Sequence, residues 1–186
     1  MKWGICVAGS VLGKGKAMYQ KQYWTELYEL KCHQKYLALH QERAEDWERR
    51  IKVFMAIVSS TSIGGWALWR EFAPLWATLI AASQVVTAIY AFLPFKSRIK
   101  PISLAVTSLT VLFDQAEHGW FAVAEGELTD AEVNDARYKI RKSKTKIMSD
   151  TVGVLIIPND LDLMRKAEQE AMAYFKNYHP RQEDDQ

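Results

Sequence analysis

The residues able to do chemistry are few and scattered. Cys6 and Cys32 are the two cysteines, with His33 beside Cys32 and His40 seven further on. Thiolate and imidazole are zinc ligands, yet neither a CxxC pair nor an HxxxH step is present, so no metal site is expected. Glu117–His118 puts an acid next to a base, but neighbouring helix residues point about 100° apart and make a surface pair rather than a dyad. Gly9–Lys16 offers glycines and lysines as a phosphate loop would. It has three residues between the glycines instead of four, Gly15 after Lys14, and no preceding strand, so it reads as a flexible basic linker. No paired carboxylates, nucleophile triad or cofactor motif is found, and the expectation is a non-enzymatic protein with no cofactor.

At the level of whole elements, the chain is organised around Val53–Phe95. Val53–Trp69 carries no charge, Arg70 and Glu71 interrupt, and Phe72–Phe95 is again uncharged. A spanning helix needs about 20 mainly apolar residues. Trp66, Trp69, Phe72 and Trp76 flank the interruption, while Tyr90, Phe92 and Phe95 close the second run, as interfacial aromatics do. Arg49, Arg50 and Lys52 precede the pair and Lys96, Arg98 and Lys100 follow it. By the positive-inside rule both termini are cytoplasmic. The competing reading is a buried hairpin in a soluble helical bundle. Fold class is therefore expected to be an all-α membrane protein, a two-transmembrane helical hairpin with long cytoplasmic helices in an antiparallel bundle, placed as a multi-pass membrane protein.

Small residues recur within the hairpin. Ala56, Ser60 and Gly64 lie four apart, as do Ser83, Thr87 and Ala91, and such ridges let helices approach closely. Gln84 sits near the middle of the second run. Its amide needs a partner, either within or between hairpins or along a water-filled path. Packing or pore lining is thus expected of Ala56, Ser60, Gly64, Ser83, Gln84 and Thr87.

The order along the chain is a flexible segment (1–16), a helix (17–52), the hairpin (53–95), two more helices (96–148) and an extension with a polar tail (149–186). In the first helix Tyr23, Leu30, Leu37, Ala44 and Ile51 fall seven apart, opposite a partly polar column. After the hairpin, Ile102, Leu109, Ala116 and Val123 alternate with Val106, Phe113 and Trp120 to make a two-column apolar seam, whose expected partner is the first helix, antiparallel to it. Thr129 and Glu132 read as a capping box. Lys139, Arg141, Lys142, Lys144 and Lys146 read as a solvated face, or as contacts for anionic lipid or an acidic ligand. Val152–Ile157 is a candidate strand or extended segment, and Asn159 or Asp160 caps a last helix reaching Tyr178. A net charge of +2 is too balanced for a nucleic-acid partner.

This order of elements, with the passage Trp120-Phe-Ala-Val-Ala-Glu-Gly-Glu-Leu-Thr-Asp-Ala-Glu-Val, resembles the SLATT family, the SMODS- and SLOG-associating two-transmembrane effectors of bacteria. The likeness covers most of Ala17–Met148. It implies an effector of a nucleotide-triggered conflict or antiphage system that forms pores or breaches the inner membrane, with the lipid bilayer, copies of itself and an associated nucleotide-signalling or sensor protein as partners. The alternative is a membrane-anchored scaffold or regulatory subunit recruiting a cytoplasmic partner. No catalytic residues come with the resemblance.

Overall fold

A computed structural model describes residues 16–68, 73–92, 95–153, 155 and 157–179. They form five helices: α1 (Lys16–Leu68), α2 (Ala73–Phe92), α3 (Phe95–Ala124), α4 (Asp130–Val152) and α5 (Leu161–Tyr178). The first segment, including Cys6 and the glycines of 9–15, lies outside the described residues, as do the Arg70–Glu71 interruption and the tail 181–186.

With no proline and no glycine before Gly64, nothing stops α1 once it starts. It runs 53 residues, about 80 Å at 1.5 Å per residue. Its first half is the axis of a bundle. Tyr23, Leu27, Leu30 and Leu37 are buried against Leu109, Phe113, Ala116, Trp120 and Val123 of α3, Val133 and Ile140 of α4, and Phe175 of α5. The α3 seam residues Ile102, Leu109, Phe113, Ala116, Trp120 and Val123 are all buried, and Val106 packs beside them.

Side-chain pairs fix the directions. Gln20 donates to the Val123 carbonyl at 2.8 Å, Tyr23 to Ala116 at 2.8 Å, and Gln34 to Thr110 at 2.6 Å. Rising numbers in α1 meet falling numbers in α3, so the two are antiparallel. Gly119 lets Tyr23 in: a Cβ there would stand 2.9 Å from the tyrosine hydroxyl. Gly126, at φ 73°, turns the chain after α3 in the left-handed region that a side chain resists. Thr129 then starts α4, its hydroxyl accepting from the Glu132 amide while Glu132 accepts from the Thr129 amide at 2.8 Å. Asp160 caps α5, accepting from the amides of Asp162 and Leu163.

One expectation is corrected. Among the described residues no helix is long and apolar enough to cross a membrane. The transmembrane hairpin, and with it the multi-pass inner-membrane placement with cytoplasmic termini, is overturned; the architecture is all-α. Absence of charge is not the same as apolarity. The uncharged end of α1 stops at Leu68 and is rich in serine, threonine and glycine, and α2 holds Pro74, Thr78, Ser83, Gln84 and Thr87. Of the two readings of Val152–Ile157, strand or extended segment, the described residues show no strand. Val152 is the last residue of α4, and Leu155 and Ile157 continue without strand pairing, packing on the core as a connector.

Candidate functional site

Two polar clusters lie on different sides of the buried half of α1. The first joins α1 to α4. Residues 22, 26, 29 and 33 of α1 fall on one face, and 137, 141 and 144 of α4 fall on the face that meets it. Glu26, 7 % exposed, accepts from Arg141 Nε at 2.5 Å and has Arg137 at 3.8 Å. Arg137 also donates to Gln22. The Glu26 carboxylate is thus committed to the two guanidiniums.

One turn further, His33 Nδ1 lies 2.7 Å from the Glu29 carbonyl and 3.1 Å from Lys144 Nζ. Burial, and then the Lys144 ammonium, push the imidazole down to about 4, so it is neutral at ordinary pH. Burial lowers Lys144 as well, against the pull of Glu29 and Glu26. Beside these groups a cleft of about 970 Å³ opens between α1 and α4, floored by Met148, Val152, Leu155 and Ile157. Charged side chains line one wall and apolar ones the floor. That suits a partner's amphipathic surface better than a reaction.

The second cluster joins α1, α3 and α5. Glu117 accepts from the Tyr174 hydroxyl at 2.9 Å and meets His179 Nε2 at 2.9 Å. Lys31 places its ammonium 4.0 Å from the Phe113 ring centre and 3.8 Å from that of Tyr174. Burial and the neighbouring Glu117 raise Tyr174 above the usual phenol range. Burial lowers Lys31. Trp24 packs edge-on to Phe175 at 4.9 Å and to His179 at 5.3 Å. The cluster pins the end of α5 to the bundle.

The residues expected to pack or line a hairpin lie elsewhere. Gln84, Thr87 and Ala56 are exposed and Ser83 half-buried. Ser83 and Thr87 return their hydroxyls to their own helix, to the carbonyls of Ile80 at 2.7 Å and Ser83 at 2.8 Å. Ser60 and Gly64 lie outside the residues whose side chains are described. The basic stretch of α4 splits: Arg141 and Lys144 turn to α1, while Lys139, Lys142 and Lys146 face solvent. Cys32 is buried, its thiol pushed up to about 12, and therefore inert. Among the described residues no three histidine, cysteine or acidic side chains are placed to hold a metal. The histidine that meets Glu117 is His179 and not its neighbour His118, which is exposed. Only packing α5 against α3 reveals that pair. By contrast, Arg137, Arg141 and Lys144 stand at i, i+4, i+7, opposite Glu26, Glu29 and His33 at i, i+3, i+7, a complementarity open to view in the sequence.

No family model, curated protein or solved structure matches the chain.

Proposed function

We propose that this chain is a non-enzymatic effector or scaffold that works by assembling with copies of itself through the arm formed by the far half of α1 and by α2. One observation carries the reading. Val53, Ile80 and Val85 are 52 %, 41 % and 57 % exposed, and α2 has no charged residue over its 20 positions. Exposed apolar surface without charge marks an interaction face. Its best complement is an equally uncharged face, and every copy of the chain brings one, so a two-fold pairing satisfies both at once. A signal that binds one state of the bundle better than the other would then set the degree of assembly.

The test is sedimentation of the full chain with and without Val53→Asp combined with Val85→Asp. The wild type is expected to associate with rising concentration and the double variant to lose that association, both with the same helix content. Unchanged association in the double variant would overturn the reading. Partition of the wild type into vesicles in place of self-association would overturn it as well.

The open cleft beside Glu26 and Lys144 favours a second reading, recruitment of a different protein by an amphipathic helix laid between α1 and α4. Methyl-resolved spectra of the Met148 and Leu155 region in the presence of cell-derived partners would locate such docking.

A further inference from the structure

A smaller pocket lies where the bundle gives way to the arm. Its volume is about 170 Å³. On one side stand His40, Arg43 and Trp47, which share a face of α1 at i, i+3 and i+7. Arg98 and Ile102, four apart near the start of α3, form the second side, and the connector through Ile157 the third.

The walls are braced. Tyr36 donates its hydroxyl to the Pro158 carbonyl at 3.1 Å and accepts from the Asp160 amide at 3.2 Å, which ties the connector to α1. The same ring stands edge-on to His40 at 4.6 Å. Arg43 is committed to Asp160 by an ion pair. Arg98 has no acidic partner among the described residues.

His40 lines the pocket, and its Nε2 is buried with no hydrogen-bond partner among the described residues. A buried polar nitrogen left unpaired is costly, and a ligand oxygen would supply the missing hydrogen bond. Burial keeps this imidazole below the ordinary histidine range, and Asp160 opposes while Arg43 assists. The neutral ring can carry its proton on Nε2 and donate it.

The lining is otherwise apolar, with Trp47 53 % exposed at the rim. Cation, neutral donor, aromatic ring and apolar floor converge on one cavity, and no lining residue is acidic.

We propose that this pocket binds a compact organic anion, a phosphate or carboxylate carried on an apolar or aromatic body. Arg98 takes the charge, His40 Nε2 donates to an oxygen of the anion, and the body lies between Trp47 and the floor at Ile102 and Ile157. The volume admits a body the size of one aromatic ring. Occupancy would stiffen the junction from which the arm leaves the bundle, but binding itself does not depend on self-association.

Phenyl phosphate is the probe, added to the full ¹⁵N-labelled chain while the indole N–H of Trp47 is followed, its resonance assigned with Trp47→Phe. Saturable movement with a dissociation constant of about 1 mM is expected for a ligand of this size. Arg98→Gln should weaken binding about tenfold. Lys100→Gln, which removes the same charge from an exposed position outside the lining, should leave it unchanged. His40→Leu, which puts an apolar side chain in place of the unpaired nitrogen, should abolish binding while helix content is retained. Phenol alone should bind far more weakly. Vesicles of phosphatidic acid that displace phenyl phosphate, where phosphatidylcholine does not, would assign the anion to a lipid headgroup; failure to displace would assign it to a free small molecule. Both outcomes uphold the pocket. Equal weakening by Arg98→Gln and Lys100→Gln, or equal shifts with inorganic phosphate alone, would overturn it in favour of diffuse screening, and so would the absence of any shift.

Discussion

The two halves of α1 share one backbone and live in opposite surroundings. From Tyr23 to Leu37 the helix is enclosed by α3, α4 and α5, and Leu27 and Leu30 are fully buried. Beyond Lys52 its neighbour is α2, and Val53 and Phe54 stand 52 % and 40 % exposed. Burying a large aliphatic side chain is worth about 1.5–3 kcal/mol, so the folding energy is concentrated in the first half. The arm keeps apolar surface unspent. The same residue types do different work according to how many helices surround them.

That contrast can be broken most forcefully in the core. Phe113→Ala, in the fully buried centre, should cost about 3–5 kcal/mol by chemical denaturation, whereas Val85→Ala in the arm should stay within about 0.5 kcal/mol when the chain is dilute. Equal costs would show that the arm is as enclosed as the bundle. Acid should come next. His33 titrates near 6.5 when unfolded and near 4 when folded, so the unfolded chain binds the extra proton between these values. The stability that its neutral form supplies is complete above pH 6.5 and is lost as the pH falls towards 4. Melting temperature should fall through that window in the wild type and fall less in His33→Gln.

Close approach offers a subtler probe. Gly119→Ala drives a methyl against the Tyr23 hydroxyl and should cost about 1–2 kcal/mol by displacing its bond to Ala116. If double-mutant analysis with Tyr23→Phe shows no coupling, that contact is not what reserves the position for glycine. The smallest change is expected at Lys31. Its ammonium is buried between two rings, and Lys31→Met keeps the stem while removing the burden of a desolvated charge. Stability should change by less than about 1 kcal/mol, in either direction. A large loss would show that the cation itself, held over Phe113 and Tyr174, ties α5 to the bundle.

The helices are legible in the order of residues, because their signals are local. The seven-residue seam of Ile102 through Val123 and the Thr129–Glu132 box need only the chain's own periodicity and a turn of backbone. The membrane assignment fails on a local signal of another kind. Missing charge over Val53–Trp69 and Phe72–Phe95 does not make either run apolar throughout, because Ser59, Ser60, Thr61, Ser62, Gln84 and Thr87 lie within them. The polar clusters are less visible. The cationic stripe of α4 can be seen in the sequence, but whether it faces water or Glu26 depends on which side of α4 the bundle covers.

By itself, then, the order of residues determined that the chain would be helical, where most helices start, and which seam of α3 would be apolar, since each of these depends on spacings of three, four and seven along one strand of backbone. Only the tertiary structure decided that Glu117 would meet His179, that Lys31 would lie between two rings, and that His40 and Trp47 would face one cavity with Arg98. Those partners on different helices stand between 51 and 143 positions apart. No periodicity reaches across such distances; packing alone brings them together.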